Sequence, residues 1–327
     1  RPSWSHPAHA LGGSMMGALF GVLAAFSWGG GDFLGGLASR RLPTFLVVAS
    51  SQAAALALIV PVALLFGGTP PSGQSLLTTA LAGIVGGTGV LSLYHGFAHG
   101  RISIVASIAG TLAALIPVGV SIVHGEVPSA LRLFGFLAAI VAIIIVSTSA
   151  VEHAVVGEAG AHADASSGSA ARGGAVYGIA AGLCFAGFSL IFAGVESDAT
   201  VWLLTILRVA SVSALTLVFM TARLLGQRAP GDEPMRAGAI PAGLLPRLRL
   251  LVLLAAAGTG DTLGNLFFFL SAGESGVAVA AVFTSIAPIT TVIFAALLLG
   301  ERVSARQGLG IALAGVATVA IALGGVA

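Results

Sequence analysis

The chain reads as a series of apolar runs about 20 residues long with almost no charge inside them. That length decides the fold class. At a rise of about 1.5 Å per residue, roughly 20 helical residues cross the ~30 Å hydrocarbon core of a bilayer. A barrel-forming strand would instead show about ten residues of alternating polarity. Within lipid, a helix pairs its own backbone groups, so continuous apolar runs are read as spanning helices. Charged residues make up 8% of the chain, against about 25% in soluble domains. Too few charges remain to cover a water-facing surface of this size. The reading is an all-α polytopic membrane protein with the lipid bilayer as its solvent, placed in the plasma membrane. No nucleic-acid partner is expected, and a homo-oligomer is left open. The single cysteine, Cys184, excludes an internal disulfide or a cysteine-rich metal site.

Breaker and charge clusters divide the chain into ten segments, near 16–38, 44–67, 75–98, 102–123, 130–149, 173–194, 200–224, 249–271, 277–299 and 305–325. Residues 1–14 are polar and lack the basic stretch and apolar core of a signal peptide; they are read as a disordered extension ahead of Met15 or Met16. Residues 151–172 are read as a linker. The stretch Gly226 to Arg247, rich in Pro, Gly and charge, is read as a long loop.

Two short stretches echo each other: "HGEVPS" (His124 to Ser129) and "LGERVS" (Leu299 to Ser304). Glu301 follows Glu126 by 175 positions, and "GAVYG" from Gly174 follows "GALFG" from Gly17 by 157. The offset grows because the loop after the seventh segment is longer. The chain is thus a tandem repeat, residues 15–150 and 173–327. Each copy has five helices, an odd number, so the second enters the membrane inverted. Inverted repeats around a central site are a transporter architecture. Glu126 and Glu301 fall on opposite faces, some 30 Å apart across the core, and cannot share a reaction centre. Ser129 and Ser304 are placed as N-caps, Ser304 with Gln307 as a capping box, which makes the glutamates turn markers.

The ten helices, the two halves and the "GEVPS"/"GERVS" pair resemble the EamA-type transporters of the drug/metabolite transporter superfamily. "FSWGGGDFLGGLASRRLP" (Phe26 to Pro43) resembles their first helix. The resemblance covers about residues 15–325. It implies movement of small metabolites or drugs, often outward, by alternating access and without ATP hydrolysis. One departure is the proline of the fourth helix: Pro117 stands about a turn from Ala113, the position matching Pro288. Topology is another. Eleven arginines lie on one side, which the positive-inside rule makes cytoplasmic. Both termini would then face outward, whereas the resemblance implies cytoplasmic termini.

Charges inside a membrane cost at least about 2.5 kcal/mol at a helix centre and usually face a bundle interior. Asp32, Arg208 and Asp261 are of this kind. Their repeat counterparts are Ser189, Ser51 and Gly86, so the repeated scaffold does not require the charges. Arg208 would bind an anionic group. Asp261 or Asp32 would pair with it, accept a substrate amine or carry a proton. Helix lengths set Arg208 and Asp261 at similar depths and Asp32 nearer the arginine-rich side. Asn265, Trp28 and Tyr94 are added as substrate-binding candidates, with Thr284 and Pro288 as pathway-lining residues. The rival to a binding site is a static Arg208–Asp261 bridge.

The function expected is a secondary transporter of a small polar or amphipathic metabolite or drug, working by alternating access through a midplane cavity, and the resemblance implies export. No cofactor and no metal is expected. Two alternatives are a non-transporting subunit or sensor, and an intramembrane aspartyl enzyme using Asp32 and Asp261, against which their differing depths argue. His95 and His99 have a metal-ligand spacing, but the sequence shows no third ligand, so an interface role is expected. Pairs such as Gly83 and Gly87, or Gly178 and Gly182, suit close helix packing.

Overall fold

The computed structural model describes residues 12–71, 73–123, 129–131, 133–138, 141–142, 145, 166–192, 195, 199–227, 231–233, 240, 243–275, 280, 287–299 and 304–323. The protein is an all-α bundle of ten transmembrane helices in two inverted five-helix repeats. The first half holds α1 (Gly12–Ser39), α2 (Thr44–Phe66), α3 (Gly73–His99) and α4 (Ile102–Val123). The helical residues described between 130 and 145 form α5. The second half holds α6 (Ser166–Phe192), α7 (Thr200–Leu224), α8 (Leu244–Ser275), α9 (Ala287–Leu299) and α10 (Ala305–Leu323). Among the described residues, six helices are long and apolar enough to cross a membrane. Leu64, Leu65, Phe66, Leu217, Leu251 and Val252 point outward, as lipid-facing residues must.

Three helices begin about a turn or more earlier than the apolar pattern suggests. α1 opens at Gly12, α6 at Ser166 inside the expected linker, and α8 at Leu244 inside the expected loop. Pro246 falls in the first turn of α8, where the missing N–H costs no helical bond. Glu126, Glu301 and Thr284 lie outside the described residues, as do the side chains of Pro288 and Gln307.

The packing itself carries the repeat. α1 lies against α8 and α3 against α6; exchanging the halves turns one pair into the other. The same exchange converts α2–α8 into α7–α3 and α1–α9 into α6–α4, and maps α2–α7 and α4–α9 onto themselves. The halves therefore interlock rather than stand side by side. Glycine makes the approach possible. A Cβ on Gly260 of α8 would lie 2.8 Å from the Ser27 oxygen of α1, and one on Gly31 would lie 2.9 Å from the Ala257 oxygen. Ser271 of α8 donates to the Gly17 carbonyl at 2.7 Å, which fixes the antiparallel register of the pair.

Two apolar cores form between the helices. One centres on Phe33, Tyr94 and Phe97, the other on Phe188, Phe268 and Phe269. Both contribute walls to one internal cavity.

Candidate functional site

The cavity has a volume of about 120 Å³. A water needs about 10–15 Å³ of such space, so a ligand of several heavy atoms fits. α1, α2, α7 and α8 supply a polar wall of Asp32, Gln52, Arg208, Asp261 and Asn265. α3, α4 and α6 supply a wall of small and aromatic residues, including Gly83, Gly87, Ala109 and Phe188. Close packing at α1–α8 and α3–α7 sets these walls at contact distance. A Cβ on Gly31 would also meet the Asp261 backbone nitrogen at 3.1 Å.

Arg208 organises the polar wall. Its residue is only 5% exposed. Nη1 donates to Gln52 Oε1 at 2.6 Å and forms an ion pair with Asp261 Oδ2. Nε and Nη2 are buried and meet no hydrogen-bond partner among the described residues. Asn265, one turn along α8, donates from Nδ2 to the Asp261 carbonyl at 2.9 Å and approaches Oδ1 at 3.4 Å. Asp32 lines the same space and interacts electrostatically with Asp261. Ser211 Oγ, another buried group without a partner among the described residues, lies about one turn along α7 from Arg208 and lines the same cavity.

Five of the six candidates read from the sequence thus converge: Trp28, Asp32, Arg208, Asp261 and Asn265 line one cavity. Tyr94 does not. It is 1% exposed and stands behind the wall, filling the place of a side chain at Gly35, its hydroxyl reaching the Gly31 carbonyl at 3.4 Å. The expected depth of Asp32 is also corrected. Gly31 packs against Gly260 and Asp261, so Asp32 and Asp261 stand at nearly one level. The cause is the register of α1 on α8, which counting from loop ends misplaced. Depth therefore does not separate the two carboxylates. The two differ in partners: Asp261 is held by Arg208 and Asn265, and Asp32 has no hydrogen bond or ion pair among the described residues. Gln52 was missed. Its signal was present, since it adjoins Ser51, the repeat counterpart of Arg208.

A second cluster lies at the arginine-rich face. Segment 231–233, between α7 and α8, docks on the first half. Gly231, buried and at φ +77°, accepts from the Phe45 nitrogen at 2.9 Å. Glu233 Oε2 accepts from the Thr44 nitrogen at 2.8 Å and so caps α2, whose own N-cap residue is Pro43, with no side-chain cap. Glu233 Oε1 lies 2.6 Å from His95 Nδ1, off the line of an aligned hydrogen bond. Burial pushes the Glu233 carboxyl up, but His95 and the backbone N–H groups outweigh it and hold the pKa at about 2. His95 also meets Tyr177 of α6 edge-on, 4.3 Å between centroids. The expected interface setting of His95 is what the fold builds, and it adds the acidic neighbour that the local sequence lacked.

Fold and cavity together define a polytopic membrane protein with a polar pocket between two inverted halves, the form of a membrane transporter. The EamA-like transporter family matches residues 15–148 and again 172–323; the chain belongs to this family, within the drug/metabolite transporter superfamily. The two matched stretches coincide with the two halves. A solved crystal structure shares the fold, with a TM-score of 0.60 at 16% identity over 93% of this chain and 95% of the other. A comparison with curated proteins found no match.

Proposed function

We propose that the protein exports a small amphipathic metabolite bearing an anionic group, by alternating access through this cavity in the plasma membrane. One observation carries the reading: Arg208 presents two buried guanidinium nitrogens, without a partner among the described residues, at a cavity it lines. A buried donor left unmade costs about 1–3 kcal/mol, more when charged. A carboxylate or similar anion would satisfy both donors in the fork geometry that guanidinium favours. In the empty protein, Asp261 neutralises Arg208 through Nη1. Asp32, which has no hydrogen bond or ion pair among the described residues, is free to accept a substrate ammonium or a proton. The apolar wall across the cavity takes the ligand's hydrocarbon part.

The test uses purified protein in detergent and in liposomes. Small carboxylates should raise the melting temperature and support counterflow, while their methyl esters should not. Arg208→Lys keeps the charge but loses the fork. A charge-assisted hydrogen bond is worth about 1.5–3 kcal/mol, so affinity should fall roughly 10- to 100-fold. If Arg208→Ala protein binds and transports a found carboxylate as wild type does, Arg208 is only a static bridge and the reading fails.

A further inference from the structure

We propose that His95, His99 and Glu233 form a site for a divalent transition-metal cation of the zinc class, joining the end of α3 to the α7–α8 connection. The three side chains each offer a ligand atom, and these atoms lie within 4.8 Å of one another. Two imidazoles and a carboxylate are a donor set suited to zinc, leaving a fourth position for water. Bonds to zinc of about 2.0–2.2 Å set tetrahedral ligand atoms roughly 3.3–3.5 Å apart, so the widest separation must close by at most about 1.5 Å, and the 2.6 Å between His95 Nδ1 and Glu233 Oε1 must open by about 0.7–0.9 Å. Small side-chain rotations supply that.

Two further features fit a ligand set as well as a packing role. His99 Nδ1 donates to the His95 carbonyl at 2.9 Å. A carbonyl only accepts, so Nδ1 carries the proton and Nε2 holds the free lone pair. Fixing the tautomer by a backbone carbonyl is the usual outer-shell arrangement of a metal-bound histidine. The two rings lie 4.2 Å apart between centroids, on one face of α3 as the i, i+4 spacing requires.

The repeat supplies an independent comparison. At the 175-residue offset, His95 corresponds to Leu270 and His99 to Glu274. The inverted scaffold does not need histidines there. The site also bridges the halves: His95 and His99 belong to the first, Glu233 to the second. A bound cation would fasten the two together at the arginine-rich face.

Full-length protein, stripped with EDTA, would be titrated with ZnCl2 and separately with MgCl2. Zinc should raise the melting temperature and bind saturably by calorimetry, and magnesium, a hard cation that prefers oxygen ligands, should do neither. The chain has seven histidines, so His6→Ala/His9→Ala serves as a control and should bind as wild type. His99 is exposed, so His99→Ala should fold; its zinc affinity should fall by more than the ~10–100-fold that loss of an outer-shell partner costs. Glu233→Gln should weaken zinc in the same way. Zinc binding unchanged in His99→Ala, or abolished by the His6→Ala/His9→Ala pair, overturns the proposal, as does no zinc binding by wild type.

Discussion

Alanine at Gly260 tests whether backbone contact between α1 and α8 shapes the cavity. The added Cβ would sit 2.8 Å from the Ser27 carbonyl oxygen and 3.0 Å from the Gly31 Cα. Carbon–oxygen contacts settle near 3.3–3.6 Å, so the helices must part by about 0.5–0.8 Å. Overpacking of this kind costs about 1–3 kcal/mol. Against it stands the helix propensity of alanine over glycine, about 1 kcal/mol. The net is a loss of about 0–2 kcal/mol. Gly273 lies on the same helix, and a Cβ there meets nothing within 4 Å. Gly273→Ala should therefore gain up to about 1 kcal/mol. The two variants should differ by about 1–3 kcal/mol, read as melting temperatures in one detergent. Because Gly260 adjoins Asp261 and packs on Gly31, which adjoins Asp32, Gly260→Ala should also weaken carboxylate binding, and Gly273→Ala should not. Equal melting temperatures with equal binding would refute the idea that this contact sets the polar wall.

Asp261→Ala leaves the buried Arg208 charge without its anion and should cost about 3–5 kcal/mol, while Arg208→Met/Asp261→Leu should recover much of it; a denaturation cycle in which the double variant is as unstable as the sum of the singles would count against a buried pair. Glu233 titrates at about 2 in place of 4.5, so its contribution is complete above 4.5 and disappears as pH falls through 2. In chelated buffer, wild type should lose melting temperature over that window, and Glu233→Gln should start lower and lose less. Tyr94→Phe should leave ligand affinity unchanged because the ring stands behind the wall, whereas Trp28→Ala, which removes a wall residue, should lower it; a thermal-shift titration of both decides.

Segment length and the paucity of charge made the ten helices legible, and the duplicated "GEVPS"/"GERVS" spacing made the repeat legible, because both are local properties of sequence. Helix starts were less so. Small residues in Ser166 to Arg172 and Pro246 in the first turn of α8 are compatible with helix but carry no apolar period. The cavity was legible where a charge stood out against apolar surroundings, as at Asp32, Arg208 and Asp261. It was illegible where the cue was interhelical register. Tyr94 looks like a wall residue until Gly35 is seen to admit its ring, and the level of Asp32 depends on which residue of α8 meets Gly31. Glu233 was hidden for another reason. Its partners, Thr44 and His95, lie far off in sequence, and the loop that holds it reads locally as solvent-exposed.

The repeat explains why the charges fall where they do. A cavity near the pseudo-twofold relation of the halves draws on counterpart positions: Asp32 and Ser189 line it, as do Asp261 and Gly86, while of Arg208 and Ser51 it is Arg208 that does. Had the two aspartates been duplicated with the scaffold, four carboxylates would face one small space, and their desolvation would oppose folding. With charge on one member of each pair only, the polar wall belongs to α1, α2, α7 and α8, and the opposite wall stays apolar. That asymmetry is what the proposed ligand, with one charged end and one apolar end, would use.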